Sequence, residues 1–244
     1  GKDVEMKKVT AEKDLTLTAA NKLTTADEVS AANITLTGGD ITTAKTVNAG
    51  NDLTMTAANS LKAADKLTAD GNITASSANG NIDITAAEAK GGIDLKAANG
   101  KLTAEALQAK GSIAAAGKDV EMKKVKAGND MTLTAANSLK AADKLTAGGN
   151  IAASSENGNI DIAAAEAKGG INLKAANGKL TAEVLQAQGR IAASGKDVEM
   201  KKVTAEKDLT LTAANKLTTA DEVSAANITL TGGDITTAKT VNAG

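Results

Sequence analysis

Apolar and polar residues alternate along this chain with a period of two. Leu15-Thr16-Leu17-Thr18, Ile34-Thr35-Leu36-Thr37 and Ile82-Asp83-Ile84-Thr85 each set apolar side chains on one side of an extended backbone and polar ones on the other. That alternation predicts short strands with one buried face. Each run ends within five to seven residues at a small or Asx-containing corner, such as Ala19–Asn21, Ala26–Asp27 or a terminal Ala-Gly. Asn, Asp and Gly favour corners by local hydrogen bonding or by tolerating positive φ. Three strands fit between successive corners of the same kind, typified by Leu15/Leu17, Leu23 and Val29. A helical solenoid needs apolar spacings of three and four in repeats of about 33 residues or more. The spacing here is two, and the threonines at 16, 18, 35 and 37 add β-propensity.

The alternating units themselves repeat. GKDVEMKKV occurs at Gly1–Val9, Gly117–Val125 and Gly195–Val203, and Gly1–Gly50 recurs without mismatch as Gly195–Gly244. From Lys13 the chain divides into turns of 20, 18, 21, 21, 19 and 17 residues. The next four repeat 21, 21, 19 and 17, a 78-residue period, and the last two repeat 20 and 18, a block of 38. Two blocks of 78 and one of 38 account for the 194-residue offset between the first and third copies. A fixed period of this kind predicts a stacked array in which each repeat buries its apolar face on its neighbours. The expected fold is all-β: a right-handed parallel β-helix of about twelve turns of 17–21 residues, three short strands per turn. Residues 1–244 are expected to form a single uninterrupted β-solenoid, roughly 58 Å long at about 4.8 Å per turn. Gly1 and Gly244 both lie inside the repeating text, so the chain reads as a window of a longer tandem array.

Stacking aligns like positions into columns. One inward column is expected through Leu15, Ile34, Leu53, Ile73, Ile93 and Ile113, and a second through Leu17, Leu36, Met55, Ala75, Leu95 and Ala115. Leu53-x-Met55 becomes Met131-x-Leu133 one period later, an exchange that conserves volume as a close-packed core requires. The corner residues Asn21, Asn59, Asn99, Asn137, Asn177 and Asn215 are expected to stack, each amide bonding to the next.

Composition sharpens this picture. The 244 residues include no Phe, Tyr, Trp, Pro, Cys or His, so the core is built from Leu, Ile, Val, Met, Ala and Thr. Such a core packs well only if it is thin and regular. Net charge is −1, with 28 basic and 29 acidic residues interspersed, which offers no basic face for nucleic acid and no polybasic membrane patch. Lysine supplies all the basic residues except Arg190. Cysteine chemistry is excluded outright.

Candidate chemistry is sparse. Histidine, the commonest general base, is absent. No turn exceeds 21 residues, which leaves no excursion to wall a cleft. Asp27-Glu28 reads as a solvated charged corner, and Arg190, whose counterpart is Ser112, reads as drift between copies. Gly38-Gly39-Asp40 and Gly91-Gly92-Ile93-Asp94 are fragments of a calcium nonapeptide, and Asp94 becomes Asn172 in the other copy. Gly148-Gly149 leads into a strand, unlike a phosphate-binding loop. The lysine pairs Lys7-Lys8, Lys123-Lys124 and Lys201-Lys202 stand beside Glu5, Glu121 and Glu199 and discourage lateral strand pairing. No catalytic, cofactor-binding or metal-ligating residue is assigned, and the chain is read as non-enzymatic. An alternative is a repetitive binding surface for ice or glycan. Thr16/Thr18, Thr35/Thr37, Thr54/Thr56, Thr132/Thr134, Thr210/Thr212 and Thr229/Thr231 form Thr-x-Thr rows, interrupted by Asp94/Lys96 and Asn172/Lys174.

The turn represented by Asn51–Gly71, NDLTMTAANSLKAADKLTADG, resembles the haemagglutinin-type repeats of filamentous haemagglutinin and of contact-dependent-inhibition exoproteins. The resemblance covers essentially the whole chain and rests on turn length, the NDLTLTA-like opening and the Asn/Gly corners. It implies a right-handed parallel β-helical shaft of a two-partner-secretion exoprotein, extracellular or on the bacterial surface. It also implies an outer-membrane transporter as partner. Further copies or continuation of the same repeat end to end, and lateral bundling, are the other expected contacts. The function expected is structural: a fibre or adhesin shaft giving length and rigidity.

Overall fold

A computed structural model describes residues 1–237 and 240–244. Ala238 and Lys239, in the last expected turn, lie outside the described residues. The regular elements among the described residues are all strands, and they pair in parallel. They stack as a β-solenoid of about twelve turns with three ladders of strands. The chain divides into two compact units, Gly1–Val120 and Glu121–Gly244.

In the first unit the opening ladder runs through Leu15–Thr18, Ile34–Gly38, Leu53–Ala57, Ile73–Ser77 and the start of Ile93–Ala109. Its register is the predicted one: Leu15, Ile34, Leu53, Ile73 and Ile93 are successive partners, as are Leu17, Leu36, Met55, Ala75 and Leu95. The second ladder carries Val4, Leu23, Ile41, Leu61, Ile82 and Leu102, and the third Val9, Val29, Val47, Leu67, Ala87 and Leu107. In the second unit Met131, Ile151, Ile171, Ile191, Leu209 and Ile228 form the equivalent first column. Leu53, Met55, Met131 and Leu133 are all fully buried, so the exchange between copies does occur inside the core.

The inner positions obey a rule that the alternation alone does not show. Each turn places a second inward residue on its first strand and another on its second strand, and one of the two is large while the other is small. The pairs are Leu36 with Thr43, Met55 with Ala63, Ala75 with Ile84, and Leu95 with Ala104. In the second unit they are Leu133 with Ala141, Ala153 with Ile162, Leu173 with Ala182, and Leu211 with Thr219. From Met55 to Leu95 and from Leu133 to Leu173 the large residue changes sides from turn to turn, which fills a thin core at close-packed density without aromatic rings.

Two small inward residues of the second strands carry an uncompensated cost. The hydroxyls of Thr25 and Thr43, partners in register, are fully buried and have no hydrogen-bond partner. An unsatisfied buried hydroxyl costs about 1–3 kcal/mol. Thr43→Val keeps the shape and removes that cost. It is expected to raise the urea midpoint by the equivalent of about 1 kcal/mol.

The corners depart from expectation in two ways. The second and third strands merge in places into one extended run, as in Leu61–Ala69 and Ile82–Ala89, with a register shift between Ala63 and Lys66. A single extra residue there bends the chain enough, so no separate corner is needed. The glycines, moreover, are not used for positive φ, since no described residue has it. Their role is space. A Cβ on Gly100 would fall inside van der Waals contact of the Gly80 carbonyl in the neighbouring turn, and one on Gly178 would meet Gly158 in the same way.

Candidate functional site

The side chains that leave the core form the lateral surfaces of the described turns. On the first ladder the outward residues stack as Thr16, Thr35, Thr54, Thr74, Asp94 and as Thr18, Thr37, Thr56, Ser76, Lys96. Four successive turns of the first unit therefore present hydroxyls in two columns before Asp94 and Lys96 end the array. In the second unit Thr132/Thr134 is followed by Ala152/Ser154 and then by Asn172/Lys174.

The other ladders are charged, and their charges pair across turns. Lys66 bonds to Glu88, Lys90 lies 2.8 Å from Asp70, Lys201 2.8 Å from Glu183, and Lys202 3.1 Å from Glu222. Asp27-Glu28 is a solvated corner as expected: Asp27 accepts from the Glu28 N–H at 2.9 Å, and Glu28 stands 3.7 Å from Lys8. The lysine pairs hence do more than decorate an edge; at Lys8, Lys201 and Lys202 they tie one turn to the next.

The Lys66 ammonium holds the Glu88 carboxyl below its ordinary value of 4.5, mainly by hydrogen bonding and then by charge attraction. Lys179 does the same to Glu199. A lowered carboxyl contributes stability above its ordinary range and loses it as pH falls through the folded value. Both pairs are solvent-exposed, so each is worth under about 1 kcal/mol. Lys66→Gln is expected to lower the urea midpoint slightly at pH 7. The difference from wild type should vanish in acid, once Glu88 is protonated, and shrink in high salt.

Backbone at the corners is held by ladders of Asx side chains. Asn33 Nδ2 donates to Asp14 at 2.7 Å, the Asp52 N–H donates to Asn33 Oδ1 at 3.2 Å, the Asn72 N–H to Asp52 at 2.7 Å and the Gly92 N–H to Asn72 Oδ1 at 2.8 Å. Another such corner links Asp40 to the Ser60 N–H at 3.0 Å and Asn81 to the Lys101 N–H at 2.9 Å. The two glycine-rich candidates for calcium fall here. Asp40 is spent on backbone, Gly92 is bound by Asn72, and no group of three acidic or other metal-ligating side chains occurs among the described residues.

Two of the asparagines expected to stack, Asn99 and Asn177, bond otherwise, as does Asn79. Asn79 Nδ2 donates to the Ala58 carbonyl at 3.0 Å, Asn99 to Ala78 at 2.9 Å and Asn177 to Glu156 at 2.9 Å. Each amide reaches the main chain of the turn below rather than the next amide, because the carbonyl before the corner points along the stacking axis. Sequence reasoning also missed Ser77. Its hydroxyl is buried, donates to the Asn59 carbonyl and accepts from the Gly80 N–H at 3.2 Å, which clips the corner Ser77–Gly80.

Corner ladders, an aliphatic core and parallel stacking are the working parts of this surface, and they coincide with one described repeat. The family model described as "Haemagglutinin repeat" matches residues 7–41, 26–89, 77–121, 123–166, 156–199 and 200–244. The chain belongs to the haemagglutinin repeat family. The matches between them cover nearly every residue. No curated protein and no solved structure matches the chain. Within the matched residues 7–89, Asp14, Asn33, Asp52 and Asn72 form one corner ladder, and the Asn79 amide caps the turn below.

Arg190 is the one singular residue, and it does not lie on a strand face. It borders an open groove of about 390 Å³ at a corner of the second unit, with Asn150, Lys168, Gly169, Gly170, Gln188, Gly189, Lys207 and Asp208.

Proposed function

We propose that this chain is a stretch of non-enzymatic shaft in an extracellular adhesin or fibre of the bacterial surface. In this reading the stacked turns of each unit supply length that sets reach. The observation that carries it is the register: in each unit the same columns of Leu, Ile, Val, Met and Ala run from turn to turn, and each turn satisfies its neighbour's backbone. Membership of the haemagglutinin repeat family supports a secreted location. Continuation of the repeat end to end, lateral bundling and an outer-membrane transporter are the partners this reading implies.

Reach then scales with the number of turns. The block Asn51–Gly128 holds four of them. Deleting it from a surface-displayed chain with a tagged tip is expected to lower the tip by about 19 Å, four spacings of about 4.8 Å. Height would be read by atomic force microscopy. An unchanged tip height would contradict a shaft, because a globular or coiled arrangement does not shorten in proportion.

A further inference from the structure

We propose that the groove around Arg190 binds a dianionic phosphate monoester group. Three cations line it: Lys168, Arg190 and Lys207, each from a different turn of the same corner. All three are exposed, and none has an ion-pair partner among the described residues. The equivalent corner of the first unit is built differently. There Lys90 is neutralised by Asp70 at 2.8 Å, and Ser112 stands where the second copy has Arg190. In the second copy Asp70 is replaced by Gly148, which frees Lys168. Gly148 removes one negative charge, and Arg190 and Lys207, in place of Ser112 and Asn129, add two positive ones, while Gln188 and Glu206, in place of Lys110 and Gly128, take two back, so the corner gains one positive charge over the first copy.

The floor of the groove is glycine. A Cβ on Gly170 would sit 2.9 Å from the Arg190 carbonyl, and one on Gly189 2.8 Å from the Gly169 carbonyl carbon, so neither position admits a side chain that would fill the space. The backbone N–H groups there are already used: Gly170 donates to Asn150 Oδ1 at 2.7 Å, and Gly189 donates to the Gly169 carbonyl at 2.8 Å. Recognition therefore falls to the side chains, with the Arg190 guanidinium as a planar two-point donor and the lysines as point charges.

The facing carboxylates set the charge balance. Asp208 lines the groove and accepts from Asn227 Nδ2 at 2.9 Å. Glu206 and Glu166 line the adjoining groove, where Glu166 is paired with Lys144. Within the groove lining itself three cations face Asp208, an excess of two positive charges, with Glu206 just outside beside Lys207. A phosphate monoester carries about −1.5 to −2 near neutrality and has a second pKa of about 6. A phosphodiester or a single carboxylate carries only one negative charge and would leave part of the excess uncompensated.

Binding of phenyl phosphate to the full chain, followed by phosphorus NMR titration at low salt, tests this. Saturable binding at millimolar concentration is expected at pH 7.5. Arg190→Ser, which installs the residue of the first copy, should weaken it about tenfold. Lys90→Gln, at the other corner, should leave it unchanged. Lowering the pH to 5.5 should weaken binding as the ester takes up its second proton. Protonation of Asp208 or Glu206 would act in the opposite direction, so a fall belongs to the ligand. Inorganic phosphate run in parallel identifies the source. Equal affinity assigns the free ion, and tighter binding of the ester assigns an esterified group. No saturation, or binding unaffected by Arg190→Ser, would overturn the proposal.

Discussion

Leu95→Ala is expected to destabilise the first unit by about 3 kcal/mol, and Ala104→Ile in the same chain to restore most of the loss. Leu95 is fully buried between Ala75 below it and the small partner Ala104 in its own turn. Removing its side chain leaves a turn with two small residues at paired positions and a void that thin walls cannot close. The neighbouring turn shows the remedy, because there Ala75 is matched by Ile84. Ala104→Ile alone overfills a turn that already holds Leu95, at a cost of about 1–3 kcal/mol. The two single changes are thus each harmful and the pair is nearly neutral. Urea denaturation of the four chains measures the coupling. Additive losses would show that the two positions do not share one interior space.

Gly100→Ala is expected to cost about 3 kcal/mol or more, although it adds only a methyl group. The added carbon would overlap the Gly80 carbonyl and stand 2.8 Å from the Asn81 nitrogen. Those atoms belong to the backbone of the adjacent turn and cannot rotate away, so two turns must separate and their ladder must weaken. Gly50→Ala is the contrast, since its nearest neighbour would be 3.6 Å away. That change is expected to move stability by under about 0.5 kcal/mol. Hydrogen exchange locates the effect: protection should fall in Ile82–Ala89 and Ile93–Ala109 for Gly100→Ala and stay level for Gly50→Ala.

The fold was legible because two signals agree at every turn. Alternation at Leu15/Leu17 or Ile34/Leu36 says strand, and the near-constant spacing between such pairs says stack. Both inward columns followed from aligning the repeats. The corners were only half legible. Asn, Asp and Gly marked their places, but a sequence does not show whether glycine is present for φ or for space, and here it is space. Nor does it show whether a corner amide meets another amide or a carbonyl one turn down. The large–small pairing of Leu95 with Ala104 is written in the residues, yet it becomes visible only once the two strands are known to enclose the same interior. Arg190 looked like drift because its companions Lys168 and Lys207 are about twenty residues away on either side, a separation that only the stacking period of a solenoid turns into adjacency.

Cysteine cross-linking tests the register most directly, in a chain that has no cysteine of its own. Thr54 and Thr74 are register partners on the outward side of adjacent turns. Their Cα atoms should be about 4.8 Å apart, within disulfide range, whereas the diagonal pair Thr54 and Ser76 should be about 8 Å apart and outside it. Thr54→Cys with Thr74→Cys is expected to close a disulfide on mild oxidation without loss of stability, and Thr54→Cys with Ser76→Cys to remain reduced. Faster closure of the diagonal pair, or closure of neither, would contradict the stacked parallel ladder.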